Sequence, residues 1–254
     1  MESYWLKVQW AEKHINNLKI LVDPIEAHPY PVRVKRDPKT RERLYCATEV
    51  PEIPPDCALA AGDIFQNLRS ALDHLACALV LHNGRNISGA TEFPICEHRP
   101  KTKKEWARLL GKIEGMRQEA KDHILRIQPY CGGHGPLLRL HKLNIRDKHR
   151  LLLAFAAVLG RFNIGQHLRE TGAAHGPGHV PDHWVDIWGD RILKKGQIIL
   201  RDPPHAKLNQ NPDIRLQIVI NEVGVCEGEH LVQVLKTSLY WVQAIVADCQ
   251  KFLR

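Results

Sequence analysis

The sequence predicts an α+β fold, predominantly helical, and three observations carry the prediction. Ala58–His82 repeats its apolar residues at a helical period, and Leu231–Leu253 does so again near the end. Between them, from Leu151 to Ile220, short apolar runs of strand length are set off by Gly and Pro. Helices early and late around a small sheet make the α+β pattern. At 254 residues the chain can bury a full core. We read residues 1–150 as a helical bundle with an inserted β-hairpin (about 29–50), and 151–254 as an α+β portion packed on it or continuous with it.

Taken in order, Trp5–Leu21 spaces Trp5, Val8, Ala11, Ile15, Leu18 and Leu21 as a first helix, ended by Asp23-Pro24 because Pro cannot continue one. Tyr30–Lys35 and Arg43–Val50 flank a polar turn and alternate apolar with charged residues, the mark of a hairpin. A Pro-rich stretch leads into the main helix with Asp56 as N-cap, and Asn83-Gly84 stops it. Phe93-Pro94-Ile95 lies in a loop expected to pack back on the bundle. Thr102 with Glu105 three residues on is a capping box. Further helices are expected over Ile113–Ile127 and Pro136–Ile145, with a break at Gln128–Gly133. Leu151–Leu159 reads as a buried strand, Thr171–Asp182 as a loop, and His183–Trp188, Gln197–Leu200 and Ile214–Ile220 as strands.

On the main helix, Ile64, Phe65, Leu68, Ala71, Leu72, Leu75 and Leu79 fall within roughly 120° of arc, a face made for a core. The opposite half carries Asp63, Gln66, Asn67, Arg69, Ser70, Asp73 and His74 where Lys and Glu would be ordinary. That face is a packed polar network or a site. Its structural reading has Arg69 pairing with Asp73 at i,i+4 while His74 caps or bridges a neighbour.

Arg69-x4-His74 on an amphipathic helix resembles the signature of HEPN domains, all-helical bundles that often act as metal-independent ribonucleases. The resemblance implies a HEPN-like bundle in which Arg69 and His74 are catalytic at a meeting of two protomers, hence a homodimer. It implies RNA as partner, no metal and no cofactor, and a toxin or phage-defence setting. The chemistry fits the residue types. An imidazole can move protons near neutrality, an Arg supplies permanent charge and planar donors for phosphate oxygens, and two protomers supply two of each. NLRSALDHLA, FPI, QPY and DKHR together also resemble a family of uncharacterised bacterial proteins over about Ala58–Leu153, which implies that these segments build one site or one core.

The net charge of +8 is concentrated: Arg99–Arg150 holds 14 Lys/Arg against 5 Asp/Glu, net +9, and the remainder is net −1. Such a patch attracts phosphates, and a solvated helix surface is its plain alternative. At its end, Arg146, Lys148, His149 and Arg150 crowd a helix terminus, where they can hold phosphates or complement the helix dipole. With Asn67, Ser70 and Asp73 they form the candidate nucleic-acid-binding set.

A third constellation, His175, His179 and His183, sits among Gly and Pro that forbid a helix; with Asp182 it is a weak alternative metal site. P-loop, dinucleotide, HExxH and GxSxG motifs are absent, which disfavours those chemistries. No apolar run reaches the roughly 18 residues of a membrane span, and Met1–His14 does not read as a secretory signal. Seven scattered Cys read as reduced thiols, so a cytoplasmic protein is expected. Three functional readings stand: a metal-independent endoribonuclease, a non-catalytic scaffold whose polar helix face is structural, and a metal-dependent enzyme built on the histidine loop.

Overall fold

A computed structural model describes residues 2–127, 130, 135–149, 152–172, 180–187 and 192–253. In chain order its elements are α1 (Ser3–Glu26), β1 (Val32–Arg36), β2 (Arg43–Ala47), α2 (Pro55–His82), α3 (Lys103–Lys112), α4 (Gln118–Ile127), α5 (Gly135–His149), β3 (Phe155–Asn163), α6 (Ile164–Thr171), β4 (Trp184–Asp186), β5 (Ile198–Asp202), β6 (Ile214–Glu222), β7 (Cys226–His230) and α7 (Leu231–Cys249). The fold is α+β, as the sequence predicts.

The apolar arc of α2 is core throughout: Ile64, Phe65, Leu68, Ala71, Leu72, Leu75 and Leu79 are all buried. α2 packs against α1, α5 and α7, and the core they share takes in Phe93 and Ile95 from the loop after α2. Ile218, Ile220 and most of α7 join the same cluster, so one core draws on residues from both sides of position 150. Gly62 of α2 sits where a Cβ would come within 2.5 Å of the Asp147 carboxylate, and only a glycine admits α5 at that crossing.

Several boundaries differ from the sequence reading, each for a physical reason. α1 runs through Pro24, because a proline in the last turn forfeits only one backbone bond. Pro54, not Asp56, precedes the first turn of α2, so Asp56 lies inside that turn, where its charge favours the helix N-terminus. The Thr102/Glu105 capping box is present with both bonds made. α4 starts only at Gln118, after a turn through Gly115 at φ +87°. α6 occupies residues to which the sequence reading assigned no element, apart from Thr171; its signals are Asn163, whose side chain accepts from Gln166 N–H, and Gly172 in the left-handed region.

The strands form two antiparallel sheets rather than one. The hairpin β1–β2 is extended by β5, and the second sheet runs β4-β3-β6-β7. A second cluster between them, including Tyr30, Ala157, Phe162, Ile214 and Leu216, ties the hairpin sheet to the larger one. Among the described residues no helix is long and apolar enough to cross a membrane.

Candidate functional site

Arg69 is 4% exposed. Burying a guanidinium is costly unless it is paired, and here it is paired at close range. Its Nη2 donates to the Phe93 carbonyl at 2.9 Å and lies 2.9 Å from Asp73 Oδ1 and 3.5 Å from Glu92 Oε2. Asp73 Oδ1 in turn accepts from Phe93 N–H at 3.0 Å. The i,i+4 pair therefore grips both polar groups of one loop residue, and NLRSALDHLA and FPI meet at that grip. DKHR joins them through Lys148, whose charge bears on Asp73. Gln128 and Pro129 lie outside the described residues, while Tyr130 is buried.

The cluster extends outward. Glu92 Oε1 takes Lys112 Nζ at 2.7 Å, and His141 of α5 faces Arg69, Lys112 and Glu92. Burial pushes the Asp73 carboxyl up and the Arg69 guanidinium down, and their mutual attraction opposes both shifts. Burial would also raise Glu92, but the hydrogen bond and charge of Lys112 more than offset it, and its carboxyl sits below the usual value. His141 is pushed down to about 4, by burial first and then by Arg69 and Lys112, with Glu92 opposing. Two buried polar atoms here lack a partner among the described residues, Arg69 Nη1 and His141 Nδ1, and so does Asn144 Oδ1, three residues after His141 in α5. Buried polar groups are nearly always bonded, so such orphans are unusual.

Lys112 and His141 of this cluster reach a hollow of about 590 Å³ bounded by residues 94–101, α3 and α5. His98, Arg99, Lys101, Arg108, Lys112 and His141 line it, against Glu97 and Glu105. Glu105 is engaged with the Lys101 and Thr102 backbone N–H groups, and Glu97 with Lys142 at 2.6 Å. The hollow is thus net positive, with apolar floor at Pro94, Ile95 and Leu109.

His74 stands elsewhere. It lines a separate hollow of about 830 Å³ with Tyr4, Cys77, Leu81, His82 and Gln250, a lining that includes none of Arg69, Asp73, Glu92, Lys112 and His141. Its Nδ1 is buried and has no partner among the described residues. Within one chain Arg69 and His74 are not brought together, because five residues of helix turn them about 140° apart.

The other candidates divide the same way. Asn67 accepts from Lys7 Nζ and donates to the Asp63 carbonyl, and Ser70 Oγ accepts from Gln66. Arg146 is paired with Glu222 and donates to the Val223 carbonyl at 2.7 Å, so it fastens α5 to the β6–β7 turn and is not a free phosphate ligand. Lys148 and His149 are exposed, and Arg150 lies outside the described residues. His175 and His179 also lie outside them, while the His183 backbone N–H donates to Asn163 Oδ1. Among the described residues no group of three or more His, Cys, Asp or Glu could hold a metal ion. The six described cysteines are free thiols.

Sequence reasoning missed Glu92, Lys112 and His141. The signal for His141 was available: with Asn144 and Lys148 it repeats a polar residue at helical spacing on the face of α5 turned to α2. No family model matches the chain, and no curated protein or solved structure matches it.

Proposed function

We propose that this chain is a HEPN-like RNA-binding protein with metal-independent endoribonuclease chemistry, and that RNA is held at the basic hollow over residues 94–101, α3 and α5. The observation that carries the reading is the convergence of Arg99, Lys101 and Arg108 on one concave surface whose two carboxylates are already engaged. Concave positive surfaces attract phosphates and raise their local concentration. The packing of α1, α2, α5 and α7 around one core supports the bundle reading. Arg69 enters as the group that holds the wall of the hollow in place, not as an exposed phosphate ligand.

The test is titration of the full chain with single-stranded RNA over a range of salt. Affinity is expected to fall steeply, the logarithmic slope being roughly −0.7 for each phosphate neutralised on a single strand. Arg99→Ala, Lys101→Ala and Arg108→Ala are each expected to flatten that slope, by up to about 1 where the side chain contacts a phosphate. Binding absent at low salt, or indifferent to salt, would remove the nucleic-acid reading.

A second reading, a non-catalytic scaffold, is favoured by one observation: Arg69 and Asp73 both spend hydrogen bonds on Phe93. On that reading Arg69→Ala unfolds the loop and the wild type cleaves no RNA.

A further inference from the structure

Cleaving an RNA phosphodiester without metal needs a group that takes the 2′-hydroxyl proton, set beside positive charge for the phosphate. His74 lacks the second requirement, since no Lys or Arg lines its hollow among the described residues. The basic hollow meets both. His141 lines it together with Lys112 and Arg108. Its Nδ1 is buried with no partner among the described residues, so no internal hydrogen bond commits the ring. Near it stands Arg69, held by Asp73 and Phe93, with its charge bearing on the ring, and three residues further along α5 is Asn144, 4% exposed with its Oδ1 also unpartnered among the described residues.

Resting on the RNA-cleavage reading above, we infer that His141, not His74, is the proton-accepting catalytic residue, and that its substrate is a single-stranded RNA segment seated in the basic hollow. A site of this size suits one or two unstacked nucleotides rather than a duplex, and sequence-exposed single strands are what proteins can splay into such pockets. Burial and the charges of Arg69 and Lys112 keep His141 unprotonated at neutral pH, the form a base requires. In the step, His141 takes the proton as the 2′-oxygen bonds to phosphorus. The bond from phosphorus to the 5′-oxygen breaks, and water supplies the proton to that leaving oxygen. The products are a 2′,3′-cyclic phosphate and a 5′-hydroxyl end, and His141 returns its proton to solvent. Arg108 meets the charge on the phosphate, while Lys112, held by Glu92, and Arg69 act as positioning residues.

The test uses the full chain and a fluorescent single-stranded RNA in excess chelator, with a copy carrying 2′-deoxyribose throughout. Wild type is expected to cut the RNA to cyclic-phosphate ends and leave the deoxy copy intact. His141→Ala is expected to lose roughly 10²–10⁴-fold in rate, as for removal of an acid–base group, with RNA affinity changed only a few-fold. Added imidazole is expected to restore part of that rate, which it cannot do for a purely structural loss. His141→Gln, which keeps size and polarity, is read beside it with melting curves in case the alanine variant fails to fold. A larger loss in His74→Gln than in His141→Gln overturns the inference and leaves RNA cleavage standing. Wild type that binds RNA without cutting it overturns the inference while the binding surface survives, and wild type that does not bind overturns both.

Discussion

Two buried polar networks lie in this molecule, and they are finished to different degrees. Under the sheets, His167 and Asp202 are 5% and 6% exposed. With its proton on Nε2, His167 donates to Asp202 Oδ1 at 2.8 Å and accepts at Nδ1 from Asn209 Nδ2 at 3.1 Å. Tyr45 Oη–H donates to Asp202 Oδ2 at 2.9 Å and accepts from Asn209 N–H at 3.3 Å. Asn209 Oδ1 accepts from Asn211 N–H at 3.0 Å, so every side-chain polar atom of the four has a partner. Burial, then the bond to Asp202, pushes the Tyr45 hydroxyl up to about 12, so it stays a donor at any physiological pH. The network around Arg69 holds more charges, Arg69, Asp73, Glu92 and Lys112, but leaves Arg69 Nη1 and His141 Nδ1 unmet among the described residues, and through Lys112 and His141 it borders an open hollow. A closed network specifies one packing; one left incomplete beside an opening is placed to receive a group from outside.

Breaking the closed network is expected to produce the largest effect. Asp202→Ala leaves the Tyr45 and His167 donors buried without their acceptor, and at roughly 1–3 kcal/mol for each stranded donor the loss is expected to be about 2–6 kcal/mol. Denaturant unfolding of the purified variant measures it. A loss under about 1 kcal/mol would show that the sheet network is not structural, and the contrast would fail.

A sharper comparison comes from the two asparagines. Asn209 is bonded at both ends of its amide, so Asn209→Leu strands the groups it served and is expected to cost about 1–3 kcal/mol. Asn144 is as buried, yet its Oδ1 has no partner among the described residues. Asn144→Leu removes an unmet acceptor and is expected to be neutral within about 1 kcal/mol, or stabilising, while weakening RNA cleavage. Equal losses in the two variants would mean that the orphan oxygen is paired in solution.

The comparison also marks how far the sequence can be read. The core of α2 was legible because its period puts seven apolar residues on one arc, and Arg69 with Asp73 was legible because they stand four apart on the same helix. Their third partner was not, since Phe93 enters through its backbone and any residue has one. The split of Arg69 from His74 was legible too, since five residues of helix set them about 140° apart. His141 hid in a helix whose basic residues read as a solvated face, and deciding otherwise required knowing that α5 lies on α2. His167 lay in a helix that went unread, and its partners Tyr45, Asp202 and Asn209 come from three separate segments that no local pattern links.

The smallest effect separates the networks by pH. An unfolded histidine titrates near pH 6.5, and folding pushes His141 down to about 4. Between those values the unfolded chain binds more protons than the folded one, so stability rises with pH there and is lost as the pH drops. The contribution is complete above about pH 6.5 and is lost progressively down to about pH 4. Asp73 works in the opposite sense: burial raises its folded value, so its contribution grows as the pH drops and fades as it rises. His141→Gln keeps Asp73, so comparing it with wild type cancels that term. Melting midpoints measured from pH 7 to 4 without RNA are expected to decline more steeply for wild type than for His141→Gln. Parallel curves would show that His141 titrates as an ordinary exposed imidazole, and that the wall of the hollow is wet rather than built around an unprotonated ring.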